Sequence, residues 1–442
     1  MNPARSAAPN PAENDGGWSI DRLAVIVMVA IAVIFDGFDS TILGLVVERV
    51  SRDLGVSMSG FAVIFAISLG GMAIGTFVGG LAGDRIGRRW PVIVSLFVLG
   101  VSTLAAASAA GLTEFAVLRF VAALALGALL PNSTALVGEF APSKWRSAAV
   151  MLVMMSMPIG SISASLLAAR FGDVVGWRGL FVAGGALPLI YSVVLLSRLP
   201  ESPRFLMGKS RVIADKNVAE GDVVAGPDAS AIGQPGKASV AGLFAPGLRW
   251  DTVALTAAFF YSMLSVYCFN SWLPTAIAAL DLGASTTGLL TASYHSGSVL
   301  GIPFGAWALS RMGSRYLLFM LCLVATIGEV CLAVFGLDGI GSVLGISLVL
   351  TITAAANAVV AVALYSLGVH VYPVAMRTTG VGFVIGLGRI GALVSAGAAA
   401  YAIAIAQTAG FFSLVALATA LTGISLLVLR SHIPSAVVST RG

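Results

Sequence analysis

Asp84-Arg85-Ile86-Gly87-Arg88-Arg89 returns further along the chain as Ser310-Arg311-Met312-Gly313-Ser314-Arg315. Arg85, Gly87 and Arg89 recur as Arg311, Gly313 and Arg315, each 226 positions on. A second pair, Pro142 with Arg146, recurs as Pro373 with Arg377 at an offset of 231. Chance can supply one such match. Two, in order and at similar offsets, point to a duplicated unit. The repeated motifs stand in short polar gaps between long apolar runs, so the unit is a set of membrane spans, read here as parallel repeats of six spans each.

Composition fixes the solvent. Of the 442 residues, 58% are hydrophobic and 10% charged, against about 25% charged in an ordinary soluble domain. Such a chain would expose more apolar surface than water tolerates, and lipid is its natural surrounding. A bilayer-spanning helix needs about 20 apolar residues. Runs of that kind lie near 23–47, 60–82, 92–110, 115–137, 147–169, 178–197, 252–279, 286–309, 316–335, 341–367, 378–405 and 409–429. The expected class is therefore an all-α membrane protein of twelve helices in two six-helix halves. Its parts are a tail at 1–22, a first half at 23–200, a linker at 201–250, a second half at 251–430 and a tail at 431–442. The start of the chain lacks the short apolar core and cleavage site of a signal peptide.

Charge placement gives the orientation. With the N-terminus in the cytoplasm, 19 of the 25 basic residues fall in cytoplasmic segments and four (Arg49, Arg52, Arg170 and Arg178) in outer loops. That asymmetry is the positive-inside pattern, with both termini cytoplasmic. The basic residues form no nucleic-acid-like patch. Cys268, Cys322 and Cys331 lie in apolar runs with no disulfide or metal-ligand spacing. Gly208-Lys209-Ser210 in the linker lacks the earlier glycine of a phosphate loop, Pro203 standing in its place, so no ATP site is read there.

The chemistry is expected from the charges left inside spans, each costing about 2.5–3.5 kcal/mol at a helix centre. Asp36 and Asp39 share one helix face. Two carboxylates so close in a low dielectric do not both ionise readily, which suits a site that loads and unloads a proton; the alternative is a structural pair neutralised by Arg119. Arg119 either pairs with an aspartate or binds an anion. Arg389, flanked by Gly388 and Gly391, either meets a carboxylate through two parallel hydrogen bonds or forms an ion pair with Asp36, Asp39 or Glu329. The glycines are expected to leave room for a ligand. Glu139, near Lys144 and Arg146, reads as part of a cytoplasmic gate. Tyr267 and Phe269 in the seventh span can stack on a flat ligand or pack in the core, and Trp272 can line the site or mark the membrane interface. Glu329, His295 and His370 have no assigned role.

These motifs resemble a known family. Gly83-Asp84-Arg85-Ile86-Gly87-Arg88-Arg89 is similar to the loop signature of the major facilitator superfamily, and Asp36-Gly37-Phe38-Asp39 resembles the span 1 hallmark of its aromatic acid:proton symporters. Pro200-Glu201-Ser202-Pro203-Arg204-Phe205-Leu206, Ser271-Trp272-Leu273-Pro274-Thr275 and Gly388-Arg389-Ile390-Gly391 agree with it. Ala123, Ala125 and Ala128 dilute the expected glycine run, Ser310 replaces an acid and Ala396 a proline.

The resemblance implies proton-driven uptake of a small aromatic carboxylate across the inner membrane by a monomer with no cofactor. Asp36 and Asp39 would exchange the proton. By the resemblance Arg389 and Arg119 would hold substrate and Asp84, Arg88 and Glu139 would gate the cytoplasmic side; the reading of the spans adds Tyr267, Phe269 and Trp272 to the substrate site and Arg146 to the gate. Rival readings are a carrier of another organic acid, an exporter, or a membrane sensor.

Overall fold

The computed structural model describes residues 18–434 apart from 56, 204, 208–239, 281, 340, 341, 374 and 375. Most of the two tails and of the linker, with Gly208-Lys209-Ser210, lies outside the described residues. Twelve helices follow in chain order: α1 Ile20–Leu54, α2 Met58–Ile86, α3 Arg89–Ala106, α4 Leu112–Phe140, α5 146–175, α6 177–198, α7 Arg249–Ala278, α8 Gly283–Met312, α9 Ser314–Gly339, α10 Val343–Val371, α11 377–405 and α12 408–428.

Two of the boundaries are sharp breaks in continuous helical stretches. Gly176 takes φ 64°, and Gln407 takes φ 49° after Ala406 has already left the helical region. The 53 residues of Arg146–Arg198 would reach about 80 Å as one helix, far more than a bilayer's thickness. Instead the chain reverses at the break: Gly160 before it and Gly184 after it both lie against Phe38 of α1. Three helix starts are capped by serine side chains, Ser19 accepting from the amide of Arg22, Ser57 from that of Gly60 and Ser342 from that of Gly345.

The duplication is visible in the backbone. The corner between α2 and α3 turns on Gly87 (φ 94°, ψ 162°), and the corner between α8 and α9 on Gly313 (φ 74°, ψ 173°). Gly71, Gly75 and Gly79 of α2 sit against Phe120, Leu124 and Ala128 of α4. Gly297, Gly301 and Gly305 of α8 sit against Thr351, Ala355 and Val359 of α10. The glycines are 226 apart and their partners 231 apart, the same two offsets as the loop motifs. A side chain at Gly75, Gly127, Gly297 or Gly301 would strike the opposing backbone. Small residues are what permit such approach, because packing replaces the hydrophobic effect inside lipid. α1 meets α5 through Gly160 against Ile34, and α7 meets α11 through Gly391 against Phe260, again at the two offsets.

The halves α1–α6 and α7–α12 touch away from the face that carries the chain ends. On this distal side Thr275 donates to the Gly44 carbonyl at 3.1 Å, Trp272 packs on Phe65 with ring centres 4.9 Å apart, and Gly288 abuts Ser165 and Ala169. Towards the terminal face the halves part. Gly80, one turn beyond Thr76 on α2, and Gly382 and Gly386, below Arg389 on α11, face open space. A cleft between the halves thus closes at its distal end and opens at the terminal face.

Candidate functional site

α1 brings its two aspartates to the head of this cleft, and each residue of Asp36-Gly37-Phe38-Asp39 has a separate job. Gly37 lets the α1 backbone lie on the Met157 carbonyl of α5, and Ser161 donates to the Gly37 carbonyl at 3.1 Å. Phe38 fills the space left by Gly184 of α6. With α1 pinned on this side, both aspartates point away from α5.

Asp39 is paired. Arg119 of α4 reaches both its carboxylate oxygens, Nη1 at 3.2 and 3.1 Å and Nη2 at 3.2 Å. Thr103 of α3 donates to Asp39 at 2.7 Å and accepts from Arg119 Nη2 at 2.7 Å. The Arg119 guanidinium lies over the Phe181 ring at 5.2 Å. Both side chains are buried, and in this structure Arg119 is paired with the aspartate. Asp36 is also buried, but its hydrogen bond comes from Ser40 at 3.3 Å. Among the described residues no cation pairs with it. A cavity of roughly 70 Å³ adjoins the pair, lined by Asp39, Ser40, Ser68, Met72, Arg119 and Ser271 among others.

Arg389 is the other midspan cation and is held differently. It is exposed to the cleft and makes a single 3.3 Å hydrogen bond to Thr76 Oγ1 across the gap between halves. It meets none of Asp36, Asp39 and Glu329 in an ion pair. Its charge and that of Asp36 both act on the Tyr267 hydroxyl, which sits 3.8 Å from Met72 Sδ, and Arg389 also acts on Tyr365.

Several expectations change. Gly388 and Gly391 do not open space for a ligand at Arg389; they seat α11 on Phe259 and Phe260 of α7. Gly386 and Gly382, one and two turns before Arg389, are glycines with room beside them. Phe269 does not line the cleft but stacks on Tyr294, ring centres 4.5 Å apart, and meets Phe411 edge-on inside the second half. Trp272 neither lines the cleft nor marks the membrane surface; it is buried in the distal joint against Phe65.

Glu139 takes a hydrogen bond from Ser202 at the end of α6 instead of an ion pair with Lys144 or Arg146. Arg146 packs beside Gly138. Asp84 and Arg88 pair with each other at the terminal end of α2. Glu201, quoted in the sequence motif but given no role, accepts from the amide of Arg89 at 3.1 Å and ties that corner to α6. His295 is buried against Tyr294 and His370 is exposed near the end of α10. Glu329 is buried and bonded to Asn357 and Thr419, facing no open water. Sequence reasoning passed over Thr103, Ser40 and Thr76. Hydroxyls are common in membrane helices, and nothing in their spacing marks these three.

Two six-helix halves around a one-ended central cleft, with charged groups at midspan, define a multi-pass membrane transporter. The sequence model of the Major Facilitator Superfamily matches residues 29–396, and the chain belongs to that family. Among curated proteins it is 27% identical over 410 residues to the 4-hydroxybenzoate transporter PcaK of Pseudomonas putida, spanning 88% of this chain and 90% of that one. It is 29% identical over 379 residues to a gallate transporter of the same species, at 84% and 83% coverage. It is 28% identical over 390 residues to a gentisate transporter of Corynebacterium glutamicum, at 87% and 82%. Among solved structures, a D-xylose–proton symporter superposes with a TM-score of 0.71 at 16% identity, covering 91% of this chain and 97% of that chain.

Proposed function

We propose that the chain takes up a small aromatic carboxylate, such as a hydroxybenzoate, together with protons. The observation that carries the reading is the contrast between the two midspan arginines. Arg119 is occupied by Asp39, whereas Arg389 stands in the open cleft with no carboxylate. A substrate anion at Arg389 supplies the missing partner through paired hydrogen bonds, and Tyr267 and Tyr365 are the aromatic side chains proposed to receive its ring. The relatives named for 4-hydroxybenzoate, gallate and gentisate all handle a ring bearing a carboxylate, which supports the same substrate class.

Asp36 is the proton carrier of this reading. It is a buried acid paired with no cation among the described residues, and a proton on it removes an otherwise costly buried charge. Asp39 keeps Arg119 neutralised and holds α1, α3 and α4 together. Rocking of the halves about the distal joint would close the terminal cleft and open the far side. Asp84, Arg88, Arg146 and Glu139, at the terminal ends of α2, α4 and α5, would meet the opposite half on closure. The excess of Lys and Arg supports a cytoplasmic terminal face and with it an inward-facing cleft, and the bacterial relatives support an inner membrane. The proton gradient supplies the energy, and one chain holds the whole pathway.

The test is uptake of radiolabelled 4-hydroxybenzoate, gallate and gentisate into energised cells, with and without a protonophore. Saturable uptake of at least one acid, abolished by the protonophore and inhibited by the others, is expected. Uptake indifferent to the gradient overturns the coupling, and uptake only of non-aromatic acids overturns the substrate class.

A further inference from the structure

The two offsets place the charged clusters of the halves in correspondence and show where they differ. Asp39 of α1 corresponds to Ser265 of α7, and Thr103 of α3 to Glu329 of α9, both at 226; Arg119 of α4 corresponds to Leu350 of α10, at 231. In the first half the acid is on the first helix, the hydroxyl on the third and the cation on the fourth. In the second half acid and hydroxyl have exchanged helices, and a leucine stands in the place of the cation. The second half keeps a buried midspan acid and lacks its counter-charge.

Glu329 is wholly buried. Asn357 of α10 donates to its Oε1 at 2.9 Å, and Thr419 of α12 donates to the same oxygen at 3.1 Å. Thr419 also lies 3.2 Å from Ser265 Oγ of α7. The second oxygen, Oε2, is buried with no partner, as is the Thr353 hydroxyl of α10, which faces α9 at Gly328. The titratable groups that feel Glu329 are Cys268 of α7, Tyr294 of α8 and Cys322 of α9. From α10 and α12 the facing groups are Asn357, Thr353 and Thr419, none of which titrates. A buried carboxylate with no cation is costly, whereas the neutral acid is not. Yet two donors already aim at Oε1, and these would receive the anion whenever the proton leaves. The surroundings accommodate both forms.

We propose that Glu329, held by Asn357 and Thr419, is a second proton-binding site, carried by the C-terminal half. The assignment rests on the proton-coupled reading above. Loading forms the O–H bond of a carboxylic acid; unloading returns that proton to water and leaves the carboxylate with its two donors. The halves then divide the acids between them, with Asp36 on α1 in one and Glu329 on α9 in the other.

The transport test uses Glu329→Gln, which keeps shape and hydrogen bonding but cannot titrate. Substrate counterflow at equal pH, which needs no net proton movement, is expected to stay within about twofold of the parent, while accumulation driven by a pH gradient falls about tenfold. Unchanged accumulation overturns the proposal and leaves Glu329 as a packing acid.

A second readout does not depend on transport. In the Asp36→Asn protein reconstituted in bilayers, infrared titration is expected to show a protonated-carboxyl band that disappears at high pH and is missing from the Asp36→Asn/Glu329→Gln protein. Identical titrations overturn the proposal. Should the double variant not reach the membrane, Thr419→Val in the Asp36→Asn background must shift that band, and a band that does not move overturns it. A parent indifferent to the gradient would sink the coupling reading, whereas the infrared titration still decides whether Glu329 binds a proton.

Discussion

Arg119 holds Asp39 through both terminal nitrogens, with all three contacts between 3.1 and 3.2 Å, and neither side chain reaches solvent. A buried pair of this kind is weak evidence for net stability, but removing one partner strands a charge at a cost of about 3–5 kcal/mol.

Arg119→Leu is therefore expected to lower the thermal midpoint of the detergent-purified protein sharply. Asp39→Asn, which keeps the hydrogen-bonding shape and strands the guanidinium, should do the same. The double variant, with no charge left, should recover much of the lost stability without recovering transport. Three melting curves by intrinsic fluorescence check this, and additive losses in the double variant would contradict it.

Arg389 should behave in the opposite way. Among the described residues its one protein hydrogen bond is the 3.3 Å contact to Thr76, so Arg389→Gln should fold and melt like the parent. If Arg389 receives the substrate carboxylate, the loss of charged hydrogen bonds worth about 1.5–3 kcal/mol raises the dissociation constant by roughly 10- to 150-fold. Ligand-dependent stabilisation with 4-hydroxybenzoate measures that change directly. Arg389→Lys should restore the charge but not the paired geometry, leaving binding intermediate.

Asp36→Asn is expected to preserve folding and exchange while abolishing accumulation against a gradient. Asparagine can still accept from Ser40, so the 3.3 Å bond to that hydroxyl survives the change. Counterflow and protonophore-sensitive uptake measured on the same vesicles separate these effects. Full retention of gradient-driven accumulation would make the residue structural.

The duplicated glycine seams predict matched effects at matched positions. Gly75→Val and its counterpart Gly301→Val both force a side chain into a neighbouring helix, which should cost at least about 1–3 kcal/mol each and deplete the folded peak in size-exclusion chromatography. Gly386→Ala, where nothing lies within contact distance, should leave that peak unchanged.

Most of the fold could be read from apolar run lengths and from two polar loops, because a bilayer imposes both a length and a charge asymmetry on the chain. The site was legible only in part. Asp36, Asp39, Arg119 and Arg389 announce themselves because a charge is costly in a span. Which of them pair is a matter of helix rotation, and a span apolar on every side carries no polar face from which to read it. Tyr267 and Phe269 show the difficulty. At about 100° per residue, two positions put them on opposite sides of α7, one at the cleft and the other in the core. Gly388 and Gly391 likewise flank Arg389 in sequence but turn to a different neighbour in space.

The backbone seams at Gly75, Gly160, Gly301 and Gly391 have a mechanical consequence. Each half is joined main chain to main chain into one arm, and the two arms meet at the distal joint, where Gly44 lies on the Ser271 carbonyl, Gly288 on that of Ser165, and Trp272 on Phe65. That joint is the fulcrum of the two arms. In the proposed cycle the halves rock about that joint, so a substitution at Trp272 is expected to alter the gearing of the cycle and leave the grip on the cargo untouched.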